Sequence, residues 1–134
     1  MKIRMFVKKP ILLVLISLSL TVCSCGQSES AKDAAPKIER VSQDRFKDII
    51  ENNQDIQIID VRTAAEFNGG AIASAVNIDY LDDNFEAKIK ALDKNKVTLI
   101  YCQAGGRSAK ALQLFKKAGF KRTVELQGGY SGWE

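Results

Sequence analysis

The 134-residue chain contains no histidine. That absence removes the usual general base of covalent catalysis and the commonest zinc ligand, so zinc sites and cysteine–histidine protease chemistry are not expected. Long hydrophobic runs are also missing. The one apolar stretch, from Ile11 to about Val22, falls short of the roughly 20 residues needed to cross a bilayer. With Lys2, Arg4, Lys8 and Lys9 ahead of it and small residues and cysteines behind it, residues 1–25 read as an export signal. In Val22-Cys23-Ser24-Cys25, the small Ser24 before Cys25 fits a bacterial lipoprotein cleavage site, with Cys25 as the lipidated N-terminus; ordinary secretory cleavage nearby is the alternative. The expected location is therefore the periplasm or cell envelope, with the membrane touched only through the N-terminal lipid. Charge of one sign is lacking too. The formal +4 comes from the leader, which carries four basic residues and no acidic one, and its removal leaves a balanced chain. Near-zero net charge gives no basis for a nucleic-acid partner.

Cysteine is scarce, with three in the chain. With Cys23 removed and Cys25 blocked, Cys102 is the one expected free thiol, and no intramolecular disulfide can form. In an oxidising compartment an exposed lone thiol is a liability unless it has a chemical task. Its setting supplies one. The apolar, β-rich run Val97-Thr98-Leu99-Ile100-Tyr101 leads into Cys102-Gln103-Ala104-Gly105-Gly106-Arg107-Ser108 and then a helix-patterned stretch. A strand that ends in a short glycine-containing loop feeding a helix turns several backbone N–H groups into one concavity, backed by the positive end of the helix dipole. Such surroundings lower a thiol pKa from about 8.5 to roughly 3.5–7.5. The plain alternative is a small buried hydrophobe closing a strand. Two glycines and an arginine in the same loop argue for chemistry.

The Cys-x-x-x-x-Arg loop resembles that of the rhodanese family of sulfurtransferases. Three further segments carry the likeness in the same order: Ile58-Ile59-Asp60-Val61-Arg62-Thr63 with Glu66-Phe67, Ala75-Val76-Asn77-Ile78, and Leu126-Gln127-Gly128-Gly129-Tyr130-Ser131-Gly132-Trp133. The resemblance covers about residues 39–134. It implies a persulfide on Cys102, formed from a small donor such as thiosulfate and passed to a thiol, cyanide-like or protein acceptor, with no cofactor. Two positions depart from the family pattern, Ala71 where many members place a histidine and Ser74 where they place a glycine.

Around the nucleophile, the backbone amides of Gln103, Ala104, Gly105, Gly106, Arg107 and Ser108 are expected to stabilise the thiolate and the persulfide. Arg107 is expected to offer its planar fork of donors to a sulfonate or sulfite group. Ser108 either caps the helix or donates to the sulfur, and the cap is the expected role. The resemblance implies that Asp60 and Arg62 brace the loop and pocket rather than react, with Asp60 accepting loop amides and Arg62 pairing with Glu66 or facing the substrate. Trp133 is read as packing.

Residues 26–38 are small and polar and read as a tether to one domain over 39–134. Ser42 is expected to cap a helix reaching about Asn52, and Thr63 with Glu66 to form a capping box. Strands are expected over 56–61, 75–78, 97–101 and 123–126, with helices between them and one from about Ser108 to Ala118. This alternation predicts an α/β domain with a mostly parallel sheet of about five strands covered by helices on both faces. Two other functions fit a cysteine in an amide cradle: a phosphatase or arsenate reductase, which resembles a longer Cys-x-x-x-x-x-Arg loop, and a binding module that transfers nothing.

Overall fold

The computed structural model describes residues 35–134. The expected signal segment, Cys25 and most of the expected tether lie outside the described residues. The elements run in the order β1 (Lys37–Val41), α1 (Gln43–Asn52), β2 (Ile56–Asp60), α2 (Ala64–Asn68), β3 (Ala75–Asn77), α3 (Phe85–Lys90), β4 (Val97–Tyr101), α4 (Gly106–Lys117) and β5 (Arg122–Leu126), followed by a 3-10 turn at Gly129–Gly132. Among the described residues no helix is long and apolar enough to cross a membrane.

Local chemistry sets most of these limits. Ser42 Oγ accepts from the Arg45 amide at the start of α1, and the Asn53 side chain satisfies the Ile49 carbonyl at its end. Thr63 and Glu66 form the reciprocal capping box that opens α2. Gly119, at φ 88°, closes α4. Two expectations are corrected. The helix after the cysteine loop starts at Gly106 rather than Ser108, and the first strand starts at Lys37, inside the segment read as tether. That strand carries Lys37, Glu39 and Arg40, and its polar pattern hides it in the sequence.

All five strands are parallel, in the order β1-β5-β4-β2-β3. Successive side chains of a strand point to opposite faces, and parallel sheets are covered on both. Ile58, Leu99, Tyr101, Val124 and Leu126 face α1 with its Phe46 and Ile49. Ile59, Ile100 and Cys102 face α3 and α4, where Phe85, Ile89, Ala111, Leu112 and Phe115 complete the second core. Each fully buried phenylalanine contributes up to roughly 3 kcal/mol. Register aligns Asp60 with Tyr101 and Ile100 with Glu125. The carboxyl ends of β2, β4 and β5 therefore converge on one edge, the position at which α/β sheets build their sites.

Candidate active site

Cys102 is the first residue beyond β4. Its carbonyl accepts from the Tyr130 amide at 2.8 Å, and the Gln103 carbonyl accepts from the Ser131 amide at 2.9 Å. The cysteine loop thus lies directly on the turn that follows β5. Gly129 permits this contact. It has φ 66°, and a Cβ there would sit 2.4 Å from the Cys102 carbonyl oxygen and 2.8 Å from the Ala104 nitrogen. Gly105, at φ 87°, ends the loop and stands at the head of α4 with no side-chain cap, which turns its N–H onto Sγ at 3.1 Å.

The sulfur is covered. Cys102 is 1 % exposed and packs into the α3/α4 core, which corrects the expectation of an exposed thiol: strand alternation aims it inward, and its loop is pinned by the Gly129 turn. Burial pushes the thiol pKa up. With the Ser108 hydroxyl turned to the sulfur, it and the amides of Ser108, Ala104 and Gly105 outweigh that, and the result lies below the ordinary thiol value.

Ser108 does not cap α4, contrary to expectation. It is fully buried, with Oγ 3.4 Å from Sγ and 2.7 Å from Glu125 Oε1. Gly105 leaves the cap position without a side chain, so Ser108, one turn further on, faces inward instead. Glu125 was not legible as a site residue. It is a fully buried carboxylate in β5, and its second oxygen accepts from Arg40 Nε at 2.7 Å. The available signal was a charge in the middle of a strand between Val124 and Leu126, where a central parallel strand has no solvent face.

Both arginines take partners other than those expected of them. Arg62 does not pair with Glu66. Its Nε and Nη2 reach Asp60 at 2.9 and 2.6 Å, Nη2 also reaches the Gly70 carbonyl at 2.6 Å, and Nη1 reaches Gln103 Oε1 at 3.1 Å. Its guanidinium stacks over Tyr130, 4.1 Å from the ring centre. Asp60 accepts the Arg62 amide and side chain rather than loop amides. This buried pair ties β2 to the cysteine loop through Gln103. Glu66 instead takes Arg107, with Nη1 to Oε2 at 2.7 Å and Nη2 to Oε1 at 2.6 Å. The fork expected to face a sulfonate is therefore filled by a carboxylate. The Arg107 guanidinium, with help from Thr63, holds the Glu66 carboxyl down at about 2. Glu66 returns the effect by raising Arg107, and Cys102 adds to it. Trp133 packs edge-on against Phe46 at 5.9 Å. Gly106 starts α4, and a Cβ there would meet open space.

Residues 42–134 match the family described as Rhodanese-like domain. The chain is 35 % identical over 98 residues to a putative sulfurtransferase, YtwF, of Bacillus subtilis, covering 73 % of this chain and 92 % of that one. It is 30 % identical over 120 residues to thiosulfate sulfurtransferase 18 of Arabidopsis thaliana, covering 81 % and 87 %. The crystal structure of a rhodanese-like domain protein from Staphylococcus aureus superimposes with a TM-score of 0.64 at 29 % identity, over 72 % of this chain and 91 % of that one.

Proposed function

Proceeding from the fact that this chain belongs to the rhodanese-like domain family, we propose that it is a sulfurtransferase that carries sulfane sulfur on Cys102. The Cys102 thiolate attacks the outer sulfur of a donor such as thiosulfate. A bond forms between Sγ and that sulfur, the donor S–S bond breaks, and sulfite leaves with the electron pair. A thiol or cyanide-like acceptor, or a protein thiolate, then attacks the terminal sulfur, the Sγ–S bond breaks, and the thiolate is restored. No step of this cycle needs histidine, because the thiolate is itself the nucleophile and the leaving groups are stable anions.

The observation that carries the reading is the Gly105 amide 3.1 Å from Sγ, backed by the other loop amides and the head of α4. Charge on the persulfide falls within the same cradle. The filled fork of Arg107 adds a condition: a sulfonate donor binds by displacing Glu66, whose side chain is 30 % exposed beside an Arg107 that is 25 % exposed. Export and lipid attachment at Cys25 remain part of the proposal, supported by the order of basic, apolar and small residues in 1–25. Loss of acyl labelling in Cys25→Ser, with the wild type labelled, is the expected result; equal labelling of both would remove the anchor.

Steady-state kinetics with thiosulfate and cyanide test the reaction. The two-step cycle predicts parallel double-reciprocal lines and no turnover by Cys102→Ser. Intersecting lines, or turnover surviving the substitution, would contradict it.

A further inference from the structure

Ser108 has one proton and two acceptors. Its Oγ lies 2.7 Å from Glu125 Oε1 and 3.4 Å from Cys102 Sγ, and a hydroxyl donates one hydrogen bond while offering two lone pairs. An ionised carboxylate can only accept, and charge-assisted O–H···O contacts are short and strong. Glu125 is paired with Arg40, which reaches in from β1, half exposed, to make the 2.7 Å contact with Oε2. The shorter, charged contact takes the proton, and the sulfur is left facing lone pairs.

We propose that Glu125 is a positioning residue for Cys102: paired with Arg40, it holds the Ser108 proton, so that the hydroxyl accepts from the thiol and does not donate to the thiolate. Five elements bear on the sulfur, directly or through a neighbour. β1 supplies Arg40 and β5 supplies Glu125. α4 supplies Arg107, neutralised in turn by Glu66 of α2. The Asp60–Arg62 pair at the end of β2 reaches the loop only through Gln103. Among the described residues, Glu125 is the charged group that acts on the sulfur through a single hydroxyl. The arrangement opposes negative charge on Sγ itself. It does not oppose charge one bond further out, on the terminal sulfur of a persulfide, where the amides of the cradle remain available. Glu125 therefore favours the sulfur-loaded state over the bare thiolate. This inference rests on the proposed role of Cys102, but thiol ionisation is measurable whether or not the chain transfers sulfur.

Alkylation of the full chain with iodoacetamide, followed on the Cys102 peptide across pH, reads the ionisation midpoint directly. In Glu125→Gln the amide donates to Ser108, the hydroxyl turns to the sulfur, and the midpoint moves to lower pH by about one unit. This is roughly ten-fold faster alkylation at a pH below both midpoints. Measured as Ser108→Ala against Ser108→Ala/Glu125→Gln, the same substitution gives a smaller shift. An unmoved or raised midpoint in Glu125→Gln, or a shift as large without the hydroxyl as with it, would overturn the proposal. Should Glu125→Gln fail to fold, Ser108→Ala alone decides. A midpoint within about half a unit of wild type supports a hydroxyl that was not serving the sulfur, and a larger rise means that it was.

Discussion

Substituting Gly129 by alanine probes the contact on which the cradle is built. The new Cβ would lie 2.4 Å from the Cys102 carbonyl oxygen, 2.7 Å from the Gln103 carbonyl carbon and 2.8 Å from the Ala104 nitrogen, all of them backbone atoms that no rotamer change can move away. Adopting φ 66° costs an L-residue roughly 1–2 kcal/mol, and forcing an extra carbon into a packed contact typically costs another 1–3 kcal/mol. A total of about 3 kcal/mol follows, which a domain with 5–15 kcal/mol of stability survives. Relief requires the two loops to separate, which strains the bonds from Tyr130 N to Cys102 O and from Ser131 N to Gln103 O. The loop amides then lose their aim at Sγ, and the thiol midpoint rises. Gly128 is the internal control. Its φ is 84°, yet a Cβ there meets nothing within 4 Å, so Gly128→Ala costs only the backbone share of about 1 kcal/mol. Urea unfolding of the two variants, with alkylation across pH, makes the comparison. Equal destabilisation, or an unmoved thiol in Gly129→Ala, would refute the reasoning.

Ser74 is the one described non-glycine residue at positive φ, 63°, and Ser74→Gly is expected to stabilise the domain by roughly 1 kcal/mol in urea unfolding. Glu66 has its carboxyl lowered from 4.5 to about 2, so the stability it contributes is present above pH 4.5 and is lost as pH falls toward 2. Glu66→Gln should flatten that part of the acid-unfolding profile and, by freeing Arg107, lower the KM for thiosulfate; a raised KM would count against the displaced fork. Arg62→Lys keeps the charge but loses the two-point contact with Asp60 and the reach to Gly70 and Gln103. Thermal unfolding should show a loss of about 2–4 kcal/mol, and wild-type stability would argue that the pair braces nothing.

Much of this was readable in the chain because the signals are local. The Thr63–Glu66 box, the glycine after α4, and the apolar run before Cys102 each follow from residues a few positions apart. The partners of Arg62 and Arg107 were not. Arg62 precedes the cap at Thr63, outside α2, so no helical spacing rule fixes its partner. Ser108 and Glu125 are 17 positions apart, and only strand order reveals that β5 lies between β1 and β4. That placement buries the carboxylate and brings Arg40 to it. Ser74 was visible as a departure from a family pattern; its left-handed backbone explains why glycine suits the position.

The most direct measurement is the intact mass of the protein after incubation with thiosulfate and removal of the excess. A gain of one sulfur atom that disappears on adding cyanide, and that never forms in Cys102→Ser, is the predicted outcome. A mass that stays unchanged in the wild type, or a sulfur that is still acquired when position 102 is serine, would contradict the account.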